Sequence, residues 1–494
     1  MFPHLIKNQA VEMGTRKKMI VVLMFAGLST TILLQQWSAE YSPDRNNILP
    51  EINPSYDTKP YGYVMGLRYG GQQSGGVGSL ASLQCWIKSF DLPLHIAEPA
   101  VRHSKLFSTD LKGLRFSDFF DIEKFNNLRV GRKEFGQVAT WDHFLEDAPR
   151  SVVYVQINDP KDEENHSVSQ EWGTSVTIRD TDKCTLPPAL QFLEPYKFCI
   201  TQFVNFTIHG NSPFISDKLY SPFPPEQVHE YLFQRFEPEE VTVVIDHWLP
   251  MYCVPNSKLI NPEICRKVHY TGRSLIFASA HLLKVVERYE NLFLLPRTTL
   301  SVFIRSEHLI SWAAMHCLTK EGIVNKTKLT QVFHEYLNAV IVTANNIKRM
   351  NAQGKTFITL DTGKYGSSSW RSLFARGGFD ELREPMLQEL KATVLTLDNS
   401  IDTFEEWEQR FTDATDGITD AGYIAALQRT IGSRADCLIL VGGGTFGLGV
   451  LSEYIHNHPD TSEHCYHFLA MASKYRALYQ DAVQHLTGKK MKRH

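Results

Sequence analysis

An α/β protein built on parallel sheet is what this sequence predicts, and three stretches of its second half predict it. They are LSVFIRSEH from residue 300, KTFITLDTGKYGSSSW from residue 355 and ADCLILVGGGTFG from residue 435. Each is a short apolar run that ends in a polar or glycine-rich turn, and helix-period stretches lie between them. That is the pattern of strands joined by crossover helices. In such sheets a ligand sits just beyond the carboxyl ends of the strands. Arg305, Asp361 and Thr445 stand at three of these ends and are expected to line one crevice.

The first half repeats the alternation. YGYVMGLRYGGQQSGGVGSLASLQCWIKSF, from residue 61, gives an apolar run, a glycine-rich turn over 70–78, then Leu80, Leu83, Trp86 and Ile87 at helical spacing. SVVYVQI (151–157) and EVTVVIDHWLP (240–250) read as further strands, and SLIFASAHLLKVVERYENLF (274–293) as an amphipathic helix. Pro296 breaks the pattern and divides the halves at 61–295 and 296–480, with a basic tail over 481–494. No internal repeat is visible.

The composition is globular: 494 residues, 43% hydrophobic and 21% charged, enough for two or three domains. A net charge of -3 offers no basic footprint, which argues against nucleic acid as a partner. Near the N-terminus MIVVLMFAGLSTTILL (19–34) is uncharged and apolar, and Gln35, Gln36 and Trp37 extend it. It is long enough for a span, with Lys7, Arg16, Lys17 and Lys18 before it and Glu40, Asp44 and Glu51 after it. The expectation is a cytosolic tail (1–18), a signal anchor (19–37), a polar stem (38–60) and a body on the luminal side. The alternative for this segment is a cleaved secretory signal. Export agrees with sequons at Asn165, Asn205 and Asn325 and with an even count of eight cysteines. Cys184 with Cys199, and Cys253 with Cys265, are close enough in sequence to close short loops.

Gly442, Gly444 and Gly447 also satisfy G-x-G-x-x-G after a strand. A dinucleotide site needs a βαβ unit and an acidic residue about 20 positions on. Here the helix-like LGVLSEYIHNH follows and the chain soon ends. The turn still suits a phosphate, because glycine uncovers backbone N–H groups at a helix start.

These units, in this order, resemble the nucleotide-binding half of the fucosyltransferase superfamily that contains the protein O-fucosyltransferases and the α1,6-fucosyltransferases. VFIRSEH is similar to a strand ending in an H-x-R motif, with Arg305 in the arginine's place and Phe303 where the family has histidine. FITLDTGKYGSSSW resembles the second strand, which ends in an acidic turn, and ADCLILVGGGTFG the third element. On the N-terminal side GGVGSLASLQCWIKSF and AEPAVRHS (97–104) resemble the opening unit and its "EP" strand end. The resemblance implies a GT-B-like fold, two Rossmann-like domains facing a cleft, with the donor held by the C-terminal half. It implies a membrane-anchored enzyme of the Golgi or endoplasmic reticulum, single-pass type II, moving fucose from GDP-fucose to a glycan or protein hydroxyl.

In that chemistry a diphosphate leaves and negative charge accumulates on it. An arginine fork and backbone N–H donors can stabilise that charge without a metal or other cofactor. Arg305 is expected to be the fork, Gly443, Gly444, Thr445 and Phe446 the cradle, and Asp361 an acceptor for base or ribose. Glu307 is the candidate base, because in an extended chain two-residue spacing turns it to the side of Arg305; the alternative role is only to balance that arginine. Glu98 and His308 are weaker candidates. Two alternatives stay open: a catalytically silent binding or adhesion protein on the same fold, and a manganese-dependent UDP-sugar transferase using Asp180 and Asp182 of SVTIRDTDKC.

Overall fold

The computed structural model describes residues 62–69, 80, 94–98, 115–130, 137–158, 173–181, 184–209, 240–249, 270–294, 298–320, 323–350, 354–361, 373–375, 377–418, 421–460 and 464–488. The expected anchor and stem, the glycine turn over 70–78, Asn165, Asp182, Cys253 and Cys265 lie outside them. No helix among the described residues is long and apolar enough to cross a membrane.

Two sheets carry the described residues. The first has seven strands in the order β3-β2-β1-β7-β4-β6-β5. In chain order these are β1 (Gly62–Tyr69), β2 (Leu94–Ala97), β3 (Gln137–Ala139), β4 (Ser151–Asn158), β5 (Gly173–Asp180), β6 (Cys199–His209) and β7 (Thr242–Leu249). All pair parallel except edge strand β5, which runs antiparallel to β6. Among the described residues this half is served by helices α1 (Phe116–Phe119), α2 (Ile122–Val130) and α3 (Trp141–Asp147). Then α4 (Ala280–Tyr289) crosses toward the second sheet, burying Leu282, Val285, Val286 and Tyr289 along one face.

The second sheet is wholly parallel, in the order β11-β10-β8-β9. Its strands are β8 (Thr298–Ile304), β9 (Lys355–Leu360), β10 (Cys437–Val441) and β11 (Cys465–Leu469). Every residue of β10 is buried, as a strand covered on both faces requires. The connecting helices are α5 (Ser306–His316), α6 (Lys326–Met350), α7 (Arg383–Leu397), α8 (Phe404–Ala414), α9 (Ala421–Ser433), α10 (Thr445–Asn457) and α11 (Ser473–Thr487). Helix α11 continues through Thr487, into the stretch read from sequence as a tail, because Ala482 and Val483 belong to the core.

Side-chain alternation assigns the faces. Val302, Ile304, Ile439 and Val441 point into the core shared with α5 and α6, which continues through α4 to Val64 and Ile245 of the first sheet. Phe303, Leu438 and Leu440 point the other way, into a second core made with α10 and α11. The helices that follow β8 and β10 therefore cover opposite faces of one sheet. These two strands are neighbours, yet the chain leaves β8 toward β9 and β10 toward β11. The order of strands reverses between them, and such a reversal opens a crevice at the carboxyl ends.

Candidate functional site

The three expected strand ends meet at that reversal. Arg305 directly follows β8, and its backbone N–H donates to Val441 O at 3.0 Å, extending the β8–β10 ladder by one step. The chain does not stay extended beyond it. Helix α5 starts at Ser306, so Glu307 lies in a first helical turn and not two residues along a strand. The pairing survives this change, with Arg305 Nη2 3.5 Å from Glu307 Oε2.

Asp361, one residue past β9, holds the group together. Its Oδ1 accepts from Ser306 N at 2.7 Å and from the Ser306 hydroxyl, its Oδ2 accepts from Glu307 N at 3.3 Å, and Oδ2 lies 3.4 Å from Arg305 Nε. This corrects the sequence expectation: the Asp361 carboxylate caps the first turn of α5 from the neighbouring strand end and partners Arg305, only 7% exposed, and its lone pairs are taken by the protein. Arg305 keeps 27% of its side chain exposed and Glu307 21%, so these two are the accessible charges of the trio.

The glycine turn stands beside them. Gly442, Gly443 and Gly444 have φ of +81°, +82° and +114°. At Gly442 a Cβ would sit 2.5 Å from Arg305 O, and at Gly444 it would sit 3.0 Å from His308 Cε1. Glycine is required at Gly442 and Gly444 by both conformation and space. The turn delivers the chain into α10, whose first N–H groups have no intrahelical partner. Thr445 opens α10, and its side chain lies outside the description. Phe446 is 9% exposed and stacks on Phe303 at 5.3 Å, so its ring belongs to the core and its backbone alone faces the turn. Phe303, in the family's histidine position, points away from the crevice into that same core.

The weaker candidates divide. The His308 ring stacks on Tyr475 at 4.9 Å beside the turn. Glu98, at the end of β2, is fully buried and accepts from Trp141 N at 2.6 Å, Ser117 N at 2.7 Å and Ser117 Oγ at 3.2 Å. Burial pushes its carboxyl up, against those hydrogen bonds and Arg115, and its acceptor capacity is spent knitting β2 to α1 and α3. It is structural. Asp180 is exposed at the end of β5, in the other sheet, accepting from Gln202 Nε2 at 2.7 Å. Asn205 on β6 is exposed. Asn325 is exposed too, and its Oδ1 caps α6 through Lys328 N at 3.0 Å.

The Cys184–Cys199 disulfide anticipated from spacing is present. A second, Cys437–Cys465, was not anticipated. These residues are 28 apart in sequence but directly opposite in the β10–β11 register, a relationship sequence spacing does not reveal. With His467 they are the one group of metal-ligand side chains in range among the described residues. Both sulfurs are spent in the disulfide, at the end of the sheet opposite Arg305. A furrow of about 720 Å³ between Lys326, His334, Glu381 and Glu389 lies on the surface of α6, and no strand residue lines it.

No family model matches the chain, and no curated protein matches it. Solved structures of POFUT1, a protein O-fucosyltransferase, are similar to it. The apo form is 12% identical with a TM-score of 0.41, the match covering 83% of this chain and 99% of that one. The complex with GDP-fucose is 11% identical at 0.43, covering 84% and 99%, and the complex with GDP is 12% identical at 0.40, covering 83% and 99%.

Proposed function

We propose that the chain is a glycosyltransferase that takes fucose from GDP-fucose and passes it, with inversion and without a metal, to a hydroxyl of a glycan or protein. The observation that carries this reading is the reversal of strand order between β8 and β10, with an arginine at one strand end and three glycines of positive φ at the other. A cation and a helix N-terminus bared by glycine, side by side at a switch point, suit a nucleoside diphosphate. The motif resemblance narrows the sugar nucleotide to GDP-fucose. The membrane anchor and luminal setting belong to the same proposal.

The trio gives the mechanism its logic. At rest Arg305 is balanced by Glu307 and Asp361, so its field is largely spent inside the protein. In the reaction Glu307 takes the proton of the acceptor hydroxyl as that oxygen bonds to C1 of the sugar. The C1–oxygen bond to the diphosphate breaks, and its electron pair leaves with GDP. Protonating Glu307 removes one of the two countercharges of Arg305 just as charge builds on the leaving group. The guanidinium and the first N–H groups of α10 are then free to stabilise it. Asp361 holds its place throughout, because its two oxygens accept the Ser306 and Glu307 N–H groups at the start of α5.

The test is thermal stability of the purified protein with nucleotides. GDP at 100 times its dissociation constant adds about 2.7 kcal/mol to the native state, enough to read as a melting shift. The proposal expects a shift with GDP, less with UDP or CMP, and GDP release from GDP-fucose when an acceptor is supplied. A shift with UDP and manganese alone moves the site to Asp180 and Asp182. A shift with GDP but no turnover on any acceptor leaves a nucleotide-binding protein that is catalytically silent.

A further inference from the structure

We propose that Tyr479, together with Tyr475 one turn earlier on α11, is a positioning residue for the glycine turn, which makes α11 part of the nucleotide site. The ligand rests on the reading above; the geometry rests on α11 itself.

Three successive glycines at positive φ form the backbone with the most freedom to lose. Nothing within such a segment selects one conformation, so its fixed points must come from outside. Gly442 N is held by Leu469 O at 3.2 Å. Gly444 O accepts the Tyr479 hydroxyl at 2.6 Å and Leu448 N at 3.2 Å. Tyrosine rings fill the space behind the turn: a Cβ on Gly443 would lie 2.7 Å from Tyr475 Cβ, and one on Gly447 would lie 2.3 Å from the Tyr479 hydroxyl. Tyr479 is wholly buried, its ring edge-on to Phe468. Through its stack with His308, Tyr475 carries the contact across to the first turn of α5, beside Arg305.

The consequence follows from the peptide plane. Gly444 C=O and Thr445 N–H belong to one trans peptide, so they point in opposite directions. Drawing the carbonyl toward Tyr479 aims the Thr445 N–H away from α11, outward from the helix start. That is where a β-phosphate would take it. Tyr479 touches no ligand. It sets the direction of a donor that does.

Tyr479→Phe keeps the ring and removes the hydroxyl. In the ligand-free protein it should raise amide exchange across residues 442–446 about fivefold while α7 is unchanged, and GDP should bind about fivefold more weakly, the scale of one neutral hydrogen bond. Gly447→Ala supplies a second route, because its methyl must displace the hydroxyl. It should weaken GDP binding by itself, yet cost less in the Tyr479→Phe background, where that oxygen is gone. Unchanged exchange and unchanged GDP affinity in Tyr479→Phe overturn the inference, as does faster exchange with GDP affinity intact, which would make the brace purely structural. If the wild type binds no nucleotide while Tyr479→Phe still loosens residues 442–446, the brace stands and the nucleotide reading falls.

Discussion

Asp361 and Arg305 come from strands 56 positions apart, yet one oxygen of the Asp361 carboxylate lies 3.4 Å from the arginine's Nε while the other receives the backbone N–H that starts α5. A single carboxylate therefore begins a helix and steers the cation beside it. Asp361→Ala should lower stability by about 1–2 kcal/mol, the cost of a lost cap. Asp361→Asn, which keeps an acceptor, should lose less. Chemical denaturation checks this, and an Ala variant as stable as wild type would remove the cap from the site's construction.

Arg305→Ala should abolish most of the melting shift given by GDP while the fold persists, since its side chain is partly exposed at a strand end. Arg305→Lys should restore little, because a point charge does not reproduce two parallel donors. Full rescue by lysine would point to simple charge attraction in place of a fork.

Glu307→Gln should separate binding from turnover. The amide still packs beside Arg305 but cannot take a proton, so GDP should bind at least as well while transfer from GDP-fucose falls by about 100-fold or more. Transfer at the wild-type rate would assign the proton to another group.

Arg429 on α9 and Glu453 on α10 form a buried pair, Nε to Oε2 2.8 Å, with the guanidinium over the Phe120 ring. Breaking it from one side with Arg429→Met should cost about 3–5 kcal/mol by leaving a buried carboxylate alone. The double variant Arg429→Met, Glu453→Leu should recover most of that loss. Additive losses would count against the pairing.

Burial pushes His467 below its ordinary value. Below about pH 6.5 the unfolded chain binds a proton at this residue that the native chain refuses, so stability falls as pH falls. The loss is at most about 1.4 kcal/mol per pH unit, and it ends once the pH passes below the native value. Melting curves from pH 7.5 to 5.5 should flatten in His467→Asn. An identical pH profile in the variant would rule this residue out.

What the sequence made legible were features carried by local pattern. LSVFIRSEH, KTFITL and ADCLILV announce themselves as strands because buried parallel strands are continuously apolar, and GGG followed by a helical period marks a strand-to-helix turn. Hence Arg305, Asp361 and the glycines could be named together. Their roles were less legible. Asp361 looked like a ligand acceptor because nothing in its neighbourhood reveals that Ser306 needs a cap. Glu307 was placed by strand geometry because the helix starts one residue earlier than extended spacing assumes. Tyr479, Cys465 and Glu453 were silent, since each acts through a partner fixed by register or packing between distant elements.

Strand β8 occupies the middle of its sheet, with β9 on one side and β10 on the other, so it must wait for both neighbours before its ladder is complete. Contacts between such remote segments make assembly slow. During synthesis Arg305 emerges well before α11, which emerges last of the described helices. A chain cut short just before Ser473 would retain every strand of both sheets and every charged group of the trio, yet lack the tyrosines behind the turn. Loss of α11 should uncover the second core and release the turn together, so one helix ties the burial of a sheet face to readiness for a ligand.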